Sequence, residues 1–444
     1  MTSMPIHAGW RRLAVFGFLL AIGTLPAARP AAAASPEGPP IVESPAQAGV
    51  GLAWQIHLPL RSVDAVGAIH LTDTYLLVLR TDGLARSVRA DTGELAWSRW
   101  VAQEGDTVWG PISCRHEGVE ALALTRLNDV LFLERETGHL ISRIDLPTAT
   151  AGRVAVADEL LFSHGVDRRL RGYHVEGRFV RWIVQAPAPL RLDPLYLARE
   201  DVLYFCDDSG QVAAATGARK TRVFSVQVEG TPLGRLALSG DSLYLATSKQ
   251  RIYALDRRTG RPIWSRRLTR RLAGGPIVTH TGLYQAVQDG GIQRIDLTPE
   301  GSATWYVPGC RKFLAEWPGR TVLLRDDGRV VLVQTDSGQV TAVLDLGGAT
   351  HAVSNTLNDA VVLCSADGGL RCYRPLGAKP LTPADFRPAP EEAPGAPSSR
   401  PADPGAEGGT APAPEGGAGA PLAENTPPPE RREDVLKRDP LRAP

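Results

Sequence analysis

Cysteines and histidines are the residues most able to ligate a metal or attack a substrate, and in this chain their spacing argues against both. Cys114, Cys206, Cys310, Cys364 and Cys372 are never adjacent and form no Cys-x-x-Cys, so no structural zinc site is encoded. The histidines are scattered, with no pair two or four residues apart. Cys114 and His116 share one face of an extended segment and offer two metal ligands, too few for a site; ordinary packing is the simpler reading. No Gly-x-Ser-x-Gly, His-Glu-x-x-His, P-loop or Gly-x-Gly-x-x-Gly following a strand is present. Asp207-Asp208 and Asp326-Asp327 sit where hairpin turns are expected, and carboxylates there cap backbone amides. These residues point to no catalytic group, no resident metal and no cofactor.

Two constellations remain. Cys364 and Cys372 flank Gly368 by four residues on each side, which predicts that they face each other directly across a hairpin. That is a candidate disulfide in an oxidising compartment, the alternative being two small buried thiols. Arg257, Arg258, Arg261, Arg266, Arg267, Arg270 and Arg271 crowd one turn, strand and exit loop. Such a cluster can recognise an acidic protein or a polyanionic ligand, the alternative being a solvated strand whose arginine stems cover apolar surface.

The elements that carry these residues recur. In Ile252–Trp264 a short alternating strand runs into Thr259-Gly260 and a second strand ends at Trp264. Val88–Trp97 repeats the spacing with Thr92-Gly93 and Trp97. Gly301 precedes Trp305 by the same interval, while Gly138 and Gly338 keep the turn with Ser142 and Ala342 in the tryptophan slot. Thr216-Gly217 assigns Thr221 to that slot, and Glu176-Gly177 leads to Trp182. About ten residues earlier in most units lies a second turn, such as Asp82-Gly83, Asp289-Gly290, Asp327-Gly328 and Asp367-Gly368; glycine there supplies the positive φ of a tight hairpin. Each unit therefore reads as four antiparallel strands.

The slots fall at 54, 97, 142, 182, 221, 264, 305 and 342, about forty residues apart, the period of a propeller blade. Leu52 to Ile56, around Trp54, reads as a fourth strand with no blade before it, and Val361 to Tyr373 lacks a fourth strand after it. Joining the two closes a ring of eight blades and removes the open sheet edges. The fold expected is all-β, an eight-bladed propeller of four-stranded blades over 46–376, closed by the N-terminal strand; seven blades is the alternative.

The sequence Tyr253-Ala254-Leu255-Asp256, Thr259-Gly260 and Trp264 resembles the pyrroloquinoline-quinone-like (PQQ-like) β-propeller repeat, most closely in the fifth unit. The resemblance implies eight blades with each tryptophan docked between neighbours. One branch of that family comprises quinone-dependent dehydrogenases with two adjacent cysteines over the cofactor, which this chain lacks. The other, BamB-like branch comprises non-enzymatic scaffolds anchored through a lipoprotein cysteine, also lacking here.

The ends differ from the repeat. Arg11 and Arg12 precede an apolar run, Leu13 to Leu25, and Ala32-Ala33-Ala34, a secretory signal pattern with cleavage expected after residue 34. Residues 377–444, rich in proline, alanine and glycine, are expected to be a disordered tail, with 430–438 a candidate docking helix. Lysine plus arginine is 49 against 48 acids, so net charge gives no reason to expect nucleic acid. The expectation is an exported, monomeric, non-enzymatic scaffold that binds protein partners, in the periplasm, cell envelope or outside the cell. The alternatives are a small-molecule or sugar sensor in the central channel and a quinone-dependent oxidoreductase.

Overall fold

Each repeat unit combines continuously apolar central strands with an alternating outer strand, punctuated by positive-φ turns, and it folds as one four-stranded antiparallel sheet. The computed structural model describes residues 44–60, 65–298 and 300–386. The signal segment 1–34, the chain from 387 onward and the peptide 430–438 lie outside these residues. Among the described residues there are eight such sheets. Seven are continuous in sequence: 66–100, 108–145, 155–185, 195–227, 232–267, 277–308 and 310–344. The eighth is assembled from both ends of the ring, Ala349–Ala352, Val361–Ser365 and Gly369–Pro375 with Val50–His57 as its outer strand.

Closure repeats, between distant parts of the chain, a contact made locally elsewhere. In the fifth blade the residue after the outer strand, Leu268, donates its N–H to the carbonyl of hairpin residue Gln250 at 2.8 Å. In the eighth, Leu58 does the same to Gly368 at 2.9 Å. The N-terminal strand thus fits the frame as any blade's own fourth strand does, and no sheet edge is left at the seam.

Eight apolar clusters fill the ring, each drawing its side chains from two neighbouring blades. The slot residues join them. Trp54, Trp97, Trp182 and Trp305 donate their indole N–H to backbone carbonyls of the next blade, those of Ala90, Arg135, Gly217 and Thr335, at 2.7–2.9 Å. Trp264 lies against Gly301 in the same way that Trp54 lies against Gly93 and Trp305 against Gly338. Each contact combines burial of a large aromatic surface with a satisfied polar handle.

Register corrects one slot. Phe224, not Thr221, pairs with Ala214 as Trp264 pairs with Ala254, and it packs against Gly260 of the fifth blade. The turn residue before it is Lys220, at φ 60°, whose N–H bonds Thr216 as that of Gly260 bonds Asp256. Gly217 lies three residues earlier in a turn of the same length, at the place Arg257 holds in the fifth blade. Likewise Arg178, at φ 50°, rather than Gly177, takes the left-handed place before Trp182.

The slots without an aromatic are filled otherwise. Ser142 is bonded by His116 at 2.6 Å, and that imidazole stacks on Phe132. Ala342 faces the one blade whose third and fourth strands share no turn. There Trp317 takes over, donating to the Asp359 carbonyl at 2.7 Å.

The paired-cysteine expectation also changes. Cys364 pairs with Leu370 and Cys372 with Val362, because the hairpin turns one residue earlier than a centre at Gly368 requires. The two thiols are therefore diagonal rather than opposite, and diagonal neighbours are separated by about 7–8 Å, too far for a disulfide without backbone movement. All five cysteines are free and buried. The folded unit also reaches past 376: Leu381 and Phe386, the latter fully buried, pack on the cluster between the eighth and first blades.

Candidate functional site

The first strands of the first, second, fifth, sixth, seventh and eighth blades, with Arg153 just ahead of that of the third, line a cavity of about 780 Å³. Several of them are interrupted where they line it. Register shifts fall at Gly67, at 110–111, between Leu233 and Ala237, at Arg311 and at Thr350. A bulge takes residues out of the ladder and re-aims their side chains. Arg235 and Arg311 are bulge residues, and both line the cavity.

The lining is strongly basic. Arg153, Arg235, Arg311 and Lys312 contribute four cations, with His70 and His351 beside them. One carboxylate, Asp193, is shared: Arg153 and Arg235 each approach its Oδ2 at 3.4 Å, and the Arg153 backbone N–H bonds Oδ1 at 2.9 Å. Arg311 donates to the carbonyls of Ala349 and Thr350, and Lys312 to that of Ala352. Carbonyls satisfy the donors without cancelling the charge. The consequences show in titration. Burial, then Arg235, Arg153 and Lys312, push the His70 imidazole down to about 4. Burial, then Arg311 and Arg235, lower Lys312, and burial with Lys312 and Arg311 lowers His351. The cavity is a partly desolvated volume of positive potential.

No local motif announces these residues. Their signal is positional: Arg153, Asp193 and Arg235 each follow the slot residue of the preceding blade, Ser142, Trp182 and Phe224, by eleven residues. Assigning Thr221 to the fourth slot breaks that alignment.

The seven arginines singled out by sequence do not converge. Arg257 is buried and pairs with Glu200 at 2.9 Å; Arg258 pairs with Asp241 at 3.2 Å. Both lie with Arg261 at the turn preceding Pro262–Arg267, whereas Arg270 and Arg271 follow the strand's other end, roughly 17 Å away along its length. Arg270 covers the Tyr306 ring at 4.3 Å. Arg261, Arg267 and Arg271 are exposed, and Arg266 is half-buried. Of the acidic pairs, Asp207 caps the N–H groups of Ser209 and Gln211, and Asp327 that of Arg329.

A second surface lies on the rim. Exposed large apolar side chains fall on outer strands: Leu52, Leu95, Trp100, Leu140, Val223 and Ile263, with the densest group on Phe179–Gln185. There Phe179, Val180 and Ile183 are all exposed. Lys220 of the next blade bonds the Ile183 carbonyl at 2.6 Å, and Val223 is exposed on that blade's outer strand, Arg222–Gln227. Arg178, Arg181 and Arg222 are exposed around the same patch.

A family model described as outer membrane protein assembly factor BamB matches residues 81–222 and 212–372. Among solved structures, BamB from Moraxella catarrhalis is similar at 16% identity, covering 73% of this chain and 97% of that one, with a TM-score of 0.55. The C-terminal WD40 domain of Sif2 is similar at 12% identity, covering 72% and 98%, with a TM-score of 0.54. The computationally designed Ika8 protein is similar at 13% identity, covering 70% and 96%, with a TM-score of 0.53. A search of curated proteins returns no match. At these identities the structural likenesses establish the propeller fold alone.

Proposed function

We propose, because the chain belongs to the PQQ-like β-propeller family described as outer membrane protein assembly factor BamB, that it is an exported, non-catalytic scaffold that holds a protein partner in the cell envelope. The signal pattern at residues 1–34 supports export. A rigid ring presenting edges and loops in all directions suits a binding frame.

The observation that carries the reading is the outer strand Phe179–Gln185. It has no strand beyond it in its sheet, and its exposed side chains include Phe179, Val180 and Ile183. A strand edge that is both apolar and unpaired is a liability unless something covers it. A partner segment added as a fifth strand would satisfy the open backbone groups and seat alternate side chains on this patch. Arg178, Arg181 and Arg222 favour acidic residues in that segment.

A quinone enzyme on this frame would need convergent carboxylates and a stacking tryptophan in the channel. The described lining offers arginine and lysine, which supports the non-catalytic reading. Affinity capture from native envelope extract tests the scaffold. The full chain should retain a reproducible partner that Val180→Asp with Ile183→Asp releases, with the far-ultraviolet spectrum unchanged. Equal capture by both proteins would contradict the assignment of the patch. Development of quinone absorbance after incubation with the cofactor would contradict the absence of catalysis.

A further inference from the structure

We propose that the central channel is a binding site for a small polyanion bearing phosphate or carboxylate oxygens, held by Arg153, Arg235, Arg311 and Lys312. This site is separate from the rim patch, and either can fail without the other.

Three observations meet there. The first is convergence: four cations come from three blades that are far apart in sequence, and all line one cavity of about 780 Å³, a volume suited to a small ligand. The second is construction. Arg235 and Arg311 reach the cavity from bulges, where regular pairing would have kept those residues in the ladder. Close backbone approach supports the bulge carrying Arg235: a β-carbon on Gly234 would fall 1.8 Å from the Gly275 nitrogen of the next blade. The third is imbalance. Asp193 is the only carboxylate among the described residues that pairs with these cations, and the remaining donors rest on neutral carbonyls. Like charges gathered in a partly desolvated space repel one another, and a bound anion would relieve that repulsion. Guanidinium groups suit phosphate and carboxylate because their paired N–H donors match two oxygens.

The imidazole of His70 reports on occupancy. Arg235, Arg153 and Lys312 act on it through space, so an anion among them would raise its pKa. An anion bound elsewhere would not.

The experiment is calorimetric titration of the full chain at low salt with pyrophosphate, and separately with citrate, which distinguishes phosphate from carboxylate chemistry. Saturable binding of at least one is expected. Arg235→Gln with Arg311→Gln, both at exposed positions that a variant tolerates, should weaken it by about tenfold or more. Arg266→Gln with Arg267→Gln on the rim should leave it unchanged. In the wild type, the His70 imidazole signal should titrate at higher pH with the anion present. No saturable binding by either anion up to millimolar concentration would overturn the proposal. So would equal weakening by channel and rim variants, or binding that leaves His70 unmoved.

Discussion

The six-membered side of the Trp97 indole lies against Gly138 of the following blade, so closely that a β-carbon at Gly138 would sit 2.5 Å from Trp97 Cδ2. The same indole bonds the Arg135 carbonyl at 2.9 Å, three residues before that glycine. Glycine here meets two demands together: a φ of 72° and the absence of a side chain beneath the ring.

Gly138→Ala should therefore destabilise the protein by about 2–5 kcal/mol, from left-handed backbone strain plus displacement of the indole. Urea unfolding followed by tryptophan fluorescence measures it. Lys220 holds the equivalent turn at φ 60° with a side chain, so Lys220→Gly should be neutral or stabilising by up to about 1 kcal/mol. A harmless Gly138→Ala would remove the glycine argument.

Thiol counting should give five reactive cysteines in denaturant and almost none in the native protein. Burial pushes Cys114, Cys206, Cys310 and Cys372 up to about 12 and Cys364 up to about 11. Such thiols are inert because the thiolate is the nucleophile. Three reactive thiols in denaturant would show that Cys364 and Cys372 are joined despite their diagonal register.

Stability should fall as the pH drops from 6.5 toward 4. Burial holds His164 at about 4 in the folded state, against 6.5 in an open chain. Between those values the unfolded chain takes up a proton that the folded protein refuses, so acid favours unfolding. His164→Gln should flatten this part of the stability profile measured by chemical denaturation. An unchanged slope would mean that the imidazole is protonated inside the fold.

Hydrogen exchange tests the ring closure. Amides of Trp54, Ile56 and their partners in Gly369–Pro375 should exchange as slowly as those of the fifth blade, because they belong to the same kind of sheet. Fast exchange confined to Val50–His57 would mean that the N-terminal strand is not part of the ring.

Much of this architecture was legible in the sequence because propeller blades are specified locally. A turn residue and a slot residue four positions later mark each blade that is continuous in sequence, so Trp97, Trp264 and Trp305 could be placed without tertiary information. The fourth blade's turn carries no glycine signal at its left-handed position, because Lys220 supplies its positive φ. The channel was illegible for a different reason. Arg153, Arg235, Arg311 and Lys312 belong to separate repeats, and only closure of the ring brings them together. The arginines that looked clustered in sequence are divided between two ends of one strand, because neighbours along an extended chain need not be neighbours in function.

The central claim is that this propeller works by holding another protein on its rim. Site-specific photocrosslinking in the native host tests it most directly, with a benzophenone side chain placed at Ile183 and, as a control, at Arg266. The account predicts one discrete crosslinked protein from Ile183 and none from Arg266. No crosslink at Ile183, or the same products from both positions, would contradict it.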